Sequence, residues 1–175
     1  EETEIEDVIL ELLKIENANR KNNRIQRYLK MSNIPLEKNV DTFDFKRLPL
    51  SVSRQAKVLT EGSFLDRKEN ILIFGKPGAG KTHLLCAIGL SLIYSGRKIL
   101  FTTCSFLVQS LLKAKRDLKL ESHVRKLLKF EGIIIDDIGY VQQNREEMEV
   151  LFTFLAERYE RGSVMITSNL QLSKF

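Results

Sequence analysis

The chain has 175 residues, 43% of them hydrophobic, which gives room for one domain of ordinary size with its own core and a short appendage. No apolar run reaches the roughly 18 residues of a membrane span, and the longest stretch, Leu84 to Tyr94, is shorter and interrupted, so a soluble cytoplasmic protein is expected. The net charge of +5 hides an asymmetry: residues 1–16 hold seven acids and one base, leaving 27 bases against 16 acids elsewhere, an excess suited to a polyanionic partner.

From Ile5 to Met31 apolar residues recur at three- and four-residue steps, which predicts helix, with a break near Asn17 to Asn23. Pro35 ends it, because proline removes an N–H and drives Ile34 out of the helical region. Asp41-Thr42-Phe43-Asp44-Phe45 then reads as an aromatic entry segment. Ile71 to Phe74 predicts a strand, Lys81 to Tyr94 a helix and Lys98 to Thr103 a second strand, with Gly96 at the turn. Helices follow at Phe106 to Arg116 and Ser122 to Lys129, then the apolar run Ile133 to Ile135, a helix from about Arg145 to Arg161 and a strand Ser163 to Thr167. Strands alternating with helices, and β-branched runs without polar alternation, indicate a parallel sheet covered on both faces. Starting at Glu1 with no basic-then-apolar leader, the sequence reads as a trimmed form more than a secreted one. Cys86 and Cys104 have no metal-ligand spacing and are expected as small core residues.

Between the first strand and its helix stands Gly75-Lys76-Pro77-Gly78-Ala79-Gly80-Lys81-Thr82, the pattern G-x-x-x-x-G-K-T. Glycines let backbone N–H groups approach phosphate oxygens, and the following helix presents its N-terminus to the same anion. Lys81 is placed for the β- and γ-phosphates and the Thr82 hydroxyl for magnesium, so ATP with Mg²⁺ is the expected ligand. His83, next on the helix, is counted with this nucleotide-contacting run; neither it nor His123 has a metal-ligand partner in sequence. Ile133-Ile134-Ile135-Asp136-Asp137 is a buried strand delivering carboxylates at its end. Asp136 is the expected metal carboxylate, and Asp137 the group that polarises the attacking water. Asn169, with Ser168 second, stands at the end of a neighbouring strand and is placed to sense the γ-phosphate.

Together with Arg24-Ile25-Gln26-Arg27, Asp41 to Phe45, Ile135 to Tyr140, and Arg158-Tyr159-Glu160-Arg161-Gly162-Ser163-Val164 running into Thr167-Ser168-Asn169-Leu170, these motifs resemble the IstB and DnaC group of AAA+ ATPases, and the IstB branch most. The resemblance implies a P-loop NTPase α/β fold of AAA+ type, a parallel sheet of order 5-1-4-3-2, a helical N-terminal segment over residues 1–40 and an ATPase core over residues 41–175. It also implies a DNA-transposition helper that assembles on duplex DNA with ATP, as a ring or helical filament of identical subunits, and recruits or stimulates a transposase. Delivery of a replicative helicase, as in the DnaC-like relatives, is the alternative. Two departures stand out. Asp137 occupies a position where the group often has Glu, which withdraws the carboxylate by about 1.5 Å and predicts slow hydrolysis. The sequence also stops before the arginine finger, last core strand and helical lid of such proteins.

The basic residues fall in two places. Arg20, Arg24 and Arg27 share one helical face, and Arg125, Lys126 and Lys129 lie with Lys113, Lys115, Arg116 and Lys119 on the helices between Thr103 and Gly132. The resemblance makes the latter helices the nucleic-acid-lining insertion of replication initiators, and both clusters suit phosphate contacts without base readout. Arg158 and Arg161 are expected either as surface charges or at a subunit contact. Of other classes, a GTPase is disfavoured by the absence of Asn-Lys-x-Asp. A small-molecule kinase and a binding module with structural nucleotide remain as alternatives.

Overall fold

The computed structural model describes residues 2–140 and 144–169. Four strands, β1 (Ile71–Phe74), β2 (Ile99–Thr103), β3 (Gly132–Asp136) and β4 (Ser163–Ser168), form a parallel sheet of order β1-β4-β3-β2. That is the expected 5-1-4-3-2 order without its fifth strand, which is not among the described residues. The helices are α1 (Glu2–Ser32), α2 (Leu50–Thr60), α3 (Ser63–Asp66), α4 (Lys81–Tyr94), α5 (Cys104–Arg116), α6 (Leu120–Leu127) and α7 (Arg145–Arg158).

Strand side chains alternate between faces, so β3 supplies two cores. Ile134 joins Leu85, Ile88, Leu92 and Met165 in a core beneath α1 to α4, whereas Ile133 and Ile135 join Leu107, Leu111, Val150 and Phe154 beneath α5 to α7. The result is a three-layer sandwich, and with both faces covered the central strand can be apolar at every position. Complete burial of Ile133, Ile134 and Ile135 contributes about 1.5–3 kcal/mol apiece in transfer terms. Gly89 sets the distance of α4 from the sheet: a Cβ there would lie 2.9 Å from both the Ile134 and Ile34 Cδ1 atoms.

Three expectations are corrected. α1 is one unbroken helix of 31 residues, without the break at Asn17 to Asn23; that stretch is rich in weak helix formers but contains no Gly or Pro, and poor propensity alone does not end a helix already propagating. α7 stops at Arg158 and not at Arg161, because Tyr159 turns extended (φ −51°, ψ 129°) and Glu160 takes a left-handed φ of 58°. The helix expected over Ser122 to Lys129 begins and ends two residues earlier, as α6. Two helices went unassigned in sequence, α2 and α3, which carry Ala56, Phe64 and Leu65 into the first core.

The second half of α1 is what docks. Ile25, Tyr28 and Leu29 pack on the first core, and the Arg24 guanidinium lies so close to Gly96 in the α4–β2 turn that a Cβ there would meet Nη2 at 3.0 Å. Ser32 then caps the exit, its hydroxyl donating to Leu29 O (2.8 Å) and accepting from the Ile34 N–H (3.2 Å). From Ile5 to Arg24 every α1 residue is exposed.

Candidate nucleotide site

All the expected phosphate-site residues meet at the C-terminal edge of the sheet, where parallel α/β folds place their ligands. Phe74 pairs with Ser168 and Thr103 with Asp136, so the loop after β1 emerges beside Asn169 and Asp136 lies at the sheet's rim. The Gly75 N–H donates to Ser168 O at 3.3 Å, tying the first loop residue to β4. Gly78 (φ 78°) and Gly80 (φ 85°) are left-handed, a region costly for side-chain-bearing residues, so the loop's curvature depends on them. A cleft of about 370 Å³ results, lined by Lys38, Pro77, Gly78, Gly80, Lys81, Thr82, His83, Asp136, Asp137, Thr167 and Asn169.

One hydrogen-bond chain joins the polar groups. The Lys81 ammonium donates to Gly75 O (2.8 Å), Lys76 O (3.0 Å) and Asn169 Oδ1 (2.7 Å). Asn169 Nδ2 in turn donates to Asp137 Oδ1 at 3.0 Å. Asp136 Oδ1 accepts from the Thr82 and Thr167 hydroxyls, both at 2.7 Å, and Thr167 Oγ1 accepts the Asp137 N–H at 2.8 Å. Asp137 has a left-handed φ of 62°, strained for a residue with a Cβ, and this bend turns its carboxylate toward Asn169. Two neighbouring carboxylates therefore have separate partners: Asp136 is joined to Thr82, Asp137 to Asn169.

Thr82 Oγ1 and Asp136 Oδ1 are adjacent hard oxygens. That donor set fits Mg²⁺, which binds through one or two protein oxygens and completes its shell with phosphate and water. Among the described residues no group of three His, Cys, Asp or Glu side chains forms a metal cage.

Lys38 escaped the sequence reading, and Thr42 was read only as part of the entry segment. Residues 37–42 form a compact loop in which Thr42 Oγ1 donates to Glu37 O (2.7 Å) and Asn39 Oδ1 accepts the Asp41 and Thr42 N–H groups (both 3.0 Å). Thr42 Oγ1 lies 3.1 Å from His83 Nε2, and the Phe43 ring stands edge-on to His83 at 5.2 Å, close to Gly80. His83 thus seats the entry segment against the phosphate loop. Phe43 packs on Gly80, His83 and Phe45.

The basic clusters lie elsewhere. Arg20, Arg24 and Arg27 line an open cleft of about 690 Å³ along α1 with Asn17, Lys21 and Asn23. Arg20 also pairs with Glu16 (2.7 Å), and Arg27 lies over the Tyr28 ring at 5.8 Å. Lys126 and Lys129 are exposed, and Arg125 is ion-paired to Glu121 on the same helix. Arg158 contradicts both of its expected roles. It is 1% exposed and donates to Leu127, Phe130, Glu131 and Ser163 carbonyls, and burial pushes its pKa down to about 10. Arg161 remains on the surface, bonded to Glu157 at 3.1 Å. Leu170 and the Tyr140 side chain, part of the motifs read in sequence, lie outside the described residues.

The profile of the family described as IstB-like ATP binding protein matches residues 1–175. An insertion sequence ATP-binding protein of Sinorhizobium fredii is 44% identical over 153 residues, covering 87% of this chain and 51% of its own length. The insertion sequence IS5376 ATP-binding protein of Geobacillus stearothermophilus is 39% identical over 163 residues (93% and 65%), and the IS21 counterpart of Pseudomonas aeruginosa 37% over 141 residues (81% and 53%). The chain therefore spans about half to two thirds of these relatives. Among solved structures, AMPPCP-bound DnaA from Aquifex aeolicus superposes with a TM-score of 0.67 at 16% identity, over 82% of this chain and 45% of that one. The DnaC helicase loader gives 0.66 at 22% identity, over 79% and 81%. At such identities these two establish the AAA+ fold and no more.

Proposed function

We propose, from the premise that this chain belongs to the family of IstB-like ATP-binding proteins, that it is an ATP-hydrolysing helper of DNA transposition. It assembles on duplex DNA with ATP and recruits or stimulates a transposase. The observation that carries the reading is the chain of contacts Thr82–Asp136, Lys81–Asn169 and Asn169–Asp137, which gathers the glycine-rich loop, a hydroxyl–carboxylate pair and a second carboxylate in one cleft. The matched relatives are named for insertion sequences, which supports transposition over the other P-loop chemistries.

The loop's N–H groups and Lys81 bind the β- and γ-phosphates, and Lys81 must surrender part of its present carbonyl and amide bonding to do so. Thr82 and Asp136 would hold Mg²⁺, which would supply charge neutralisation on the transferring group. Asp137 accepts a proton from water as its oxygen attacks the γ-phosphorus; the bond to the β-phosphate oxygen breaks, giving ADP and phosphate. Asn169, already bonded to Asp137, orients that carboxylate. The arginine stripe on α1 and the Arg125, Lys126 and Lys129 cluster contact DNA phosphates, so affinity falls with salt and varies little with sequence.

Nucleotide titration and phosphate release test the site. Lys81→Ala should abolish ATP binding, and Asp137→Asn should keep binding while removing turnover. Unchanged affinity in the first sinks the assignment, and lost binding in the second makes Asp137 the metal ligand in place of Asp136. Changing Arg24 and Arg27 together to Ala should weaken duplex binding on all sequences and flatten its salt slope. Wild-type affinity and slope would return that stripe to a solvated face.

A further inference from the structure

We infer that Lys38 is a second phosphate-binding cation of the nucleotide cleft, delivered by the loop that leads out of α1. The inference rests on the reading of the cleft as a nucleotide site and adds a residue outside its sequence motifs.

Three observations carry it. First, Lys38 lines the same cleft as the phosphate loop, Asp136 and Asp137, though it lies 37 positions before Gly75. Second, the loop holding it is built and anchored. Thr42 and Asn39 tie its backbone internally, Thr42 reaches His83 at 3.1 Å, and Phe43 packs against His83 and Gly80. Lys38 is thus fixed to the first turn of the helix that receives the phosphates. Third, the two ammonium groups differ in commitment. An ammonium has three donors, and those of Lys81 already reach three acceptors in Gly75, Lys76 and Asn169. Lys38 has no carboxylate within ion-pairing distance among the described residues.

Charge makes the consequence concrete. Among the side chains lining the cleft other than Lys38, Asp136 and Asp137 bring two negative charges against the one positive charge of Lys81, before any Mg²⁺ that Thr82 and Asp136 would hold with the nucleotide. With Lys38 the four groups balance, and an anion entering a partly desolvated cleft gains most from a cation that has no other partner to leave. Lys38 stands six residues past Ser32, the end of α1, so a nucleotide that engages it also fixes the exit of the helix bearing Arg20, Arg24 and Arg27.

The test is titration of this chain with ATP and with ADP, in magnesium, at low and moderate salt. Lys38→Gln, which keeps the stem and loses the charge, should weaken both nucleotides about tenfold and reduce the salt dependence of binding. Lys38→Arg should restore affinity to within about threefold, which a residue that only shapes the loop would not do. Lys81→Ala runs alongside. If it loses binding while Lys38→Gln binds within twofold of the parent, this inference falls and the site stands. If Lys81→Ala also binds normally, the nucleotide site itself falls. If Lys38→Gln is weakened but Lys38→Arg is equally weak, or if apo Lys38→Gln melts well below the parent, Lys38 is a structural residue and the inference is overturned.

Discussion

Replacing Arg158 by Met should destabilise the fold by about 3 kcal/mol. Met fills much of the apolar stem's space but leaves the carbonyls of Leu127, Phe130, Glu131 and Ser163 without the guanidinium, whose closest bonds are 2.9 Å to Phe130 O and Ser163 O. Three of the four keep another donor: Glu131 O receives the Ser163 N–H (3.0 Å), Leu127 O the Phe130 N–H (3.1 Å), and the parallel pairing of Gly132 with Ser163 gives Ser163 O the Ile133 N–H. The loss therefore concentrates on Phe130 O, at roughly 1–3 kcal/mol for a buried group left unsatisfied, and the guanidinium bonds lost at the other three carbonyls add to it. Removing the cost of burying a cation, visible in a guanidinium pKa pushed down to about 10, offsets part of it. At roughly 2–4 °C per kcal/mol for a chain of this size, the melting temperature should fall by about 6–12 °C. Thermal and urea unfolding followed by circular dichroism measure this. Gly162→Ala is an independent probe of the same socket, since its Cβ would lie 2.8 Å from Arg158 Nη2, and about 1–3 kcal/mol should be lost through crowding. Melting within 2 °C of the parent in both variants would refute the role of Arg158 as the clamp between α6, β3 and β4.

Leu118 follows α5 with a left-handed φ of 55° and is 95% exposed, so Leu118→Gly should remove strain without losing packing and raise the melting temperature by about 2–4 °C; an unchanged or lower value counts against it. Asn169→Ala should leave ATP affinity within a few-fold while lowering phosphate release by about 10²–10³, and full turnover would remove Asn169 from the mechanism. Burial pushes the Cys86 and Cys104 thiols up to about 12 and 11, so both should resist a thiol reagent at pH 8 in the fold and react on unfolding. Since the unfolded thiols ionise near their ordinary 9, their contribution to stability is full below pH 9 and declines as pH rises toward 11 to 12; alkaline melting curves without that decline contradict the assignment.

Where a local pattern carries its own geometry, the sequence was legible. The phosphate motif requires a strand before it and a helix after it, and β1 and α4 fall on the expected residues because the loop fixes both boundaries. Asp136 was readable as the end of an apolar run for the same reason. Arg158 was not: a charged residue on an amphipathic helix reads as exposed, and its burial depends on carbonyls at residues 127 to 131 and 163 that come together only in the fold. Lys38 was hidden likewise, since its loop gains meaning from His83, 45 positions later. α3 is four residues long, too short to show a helical period, and in α2 the exposed Leu50 and Val58 blur the Val52, Ala56 and Leu59 stripe, although Pro49 and Gly62, with a φ of 81°, stand at the two starts.

The unbroken α1 has a thermodynamic corollary. At about 1.5 Å per residue its 31 residues extend some 46 Å, and only the portion from Ile25 onward is held by packing. A free helix as short as the exposed stretch would be marginal in water, because starting a helix fixes several dihedrals for a single hydrogen bond. Here the docked turns act as a permanent nucleus, and the residues before them only propagate from it. Opening should then proceed from the Glu2 end inward, one turn after another, and amide hydrogen exchange along α1 should slow steadily toward Ile25. Cutting the propagation at its root, with Gly at Asn22 and Asn23, should melt the outer turns while leaving the sheet and the phosphate loop intact.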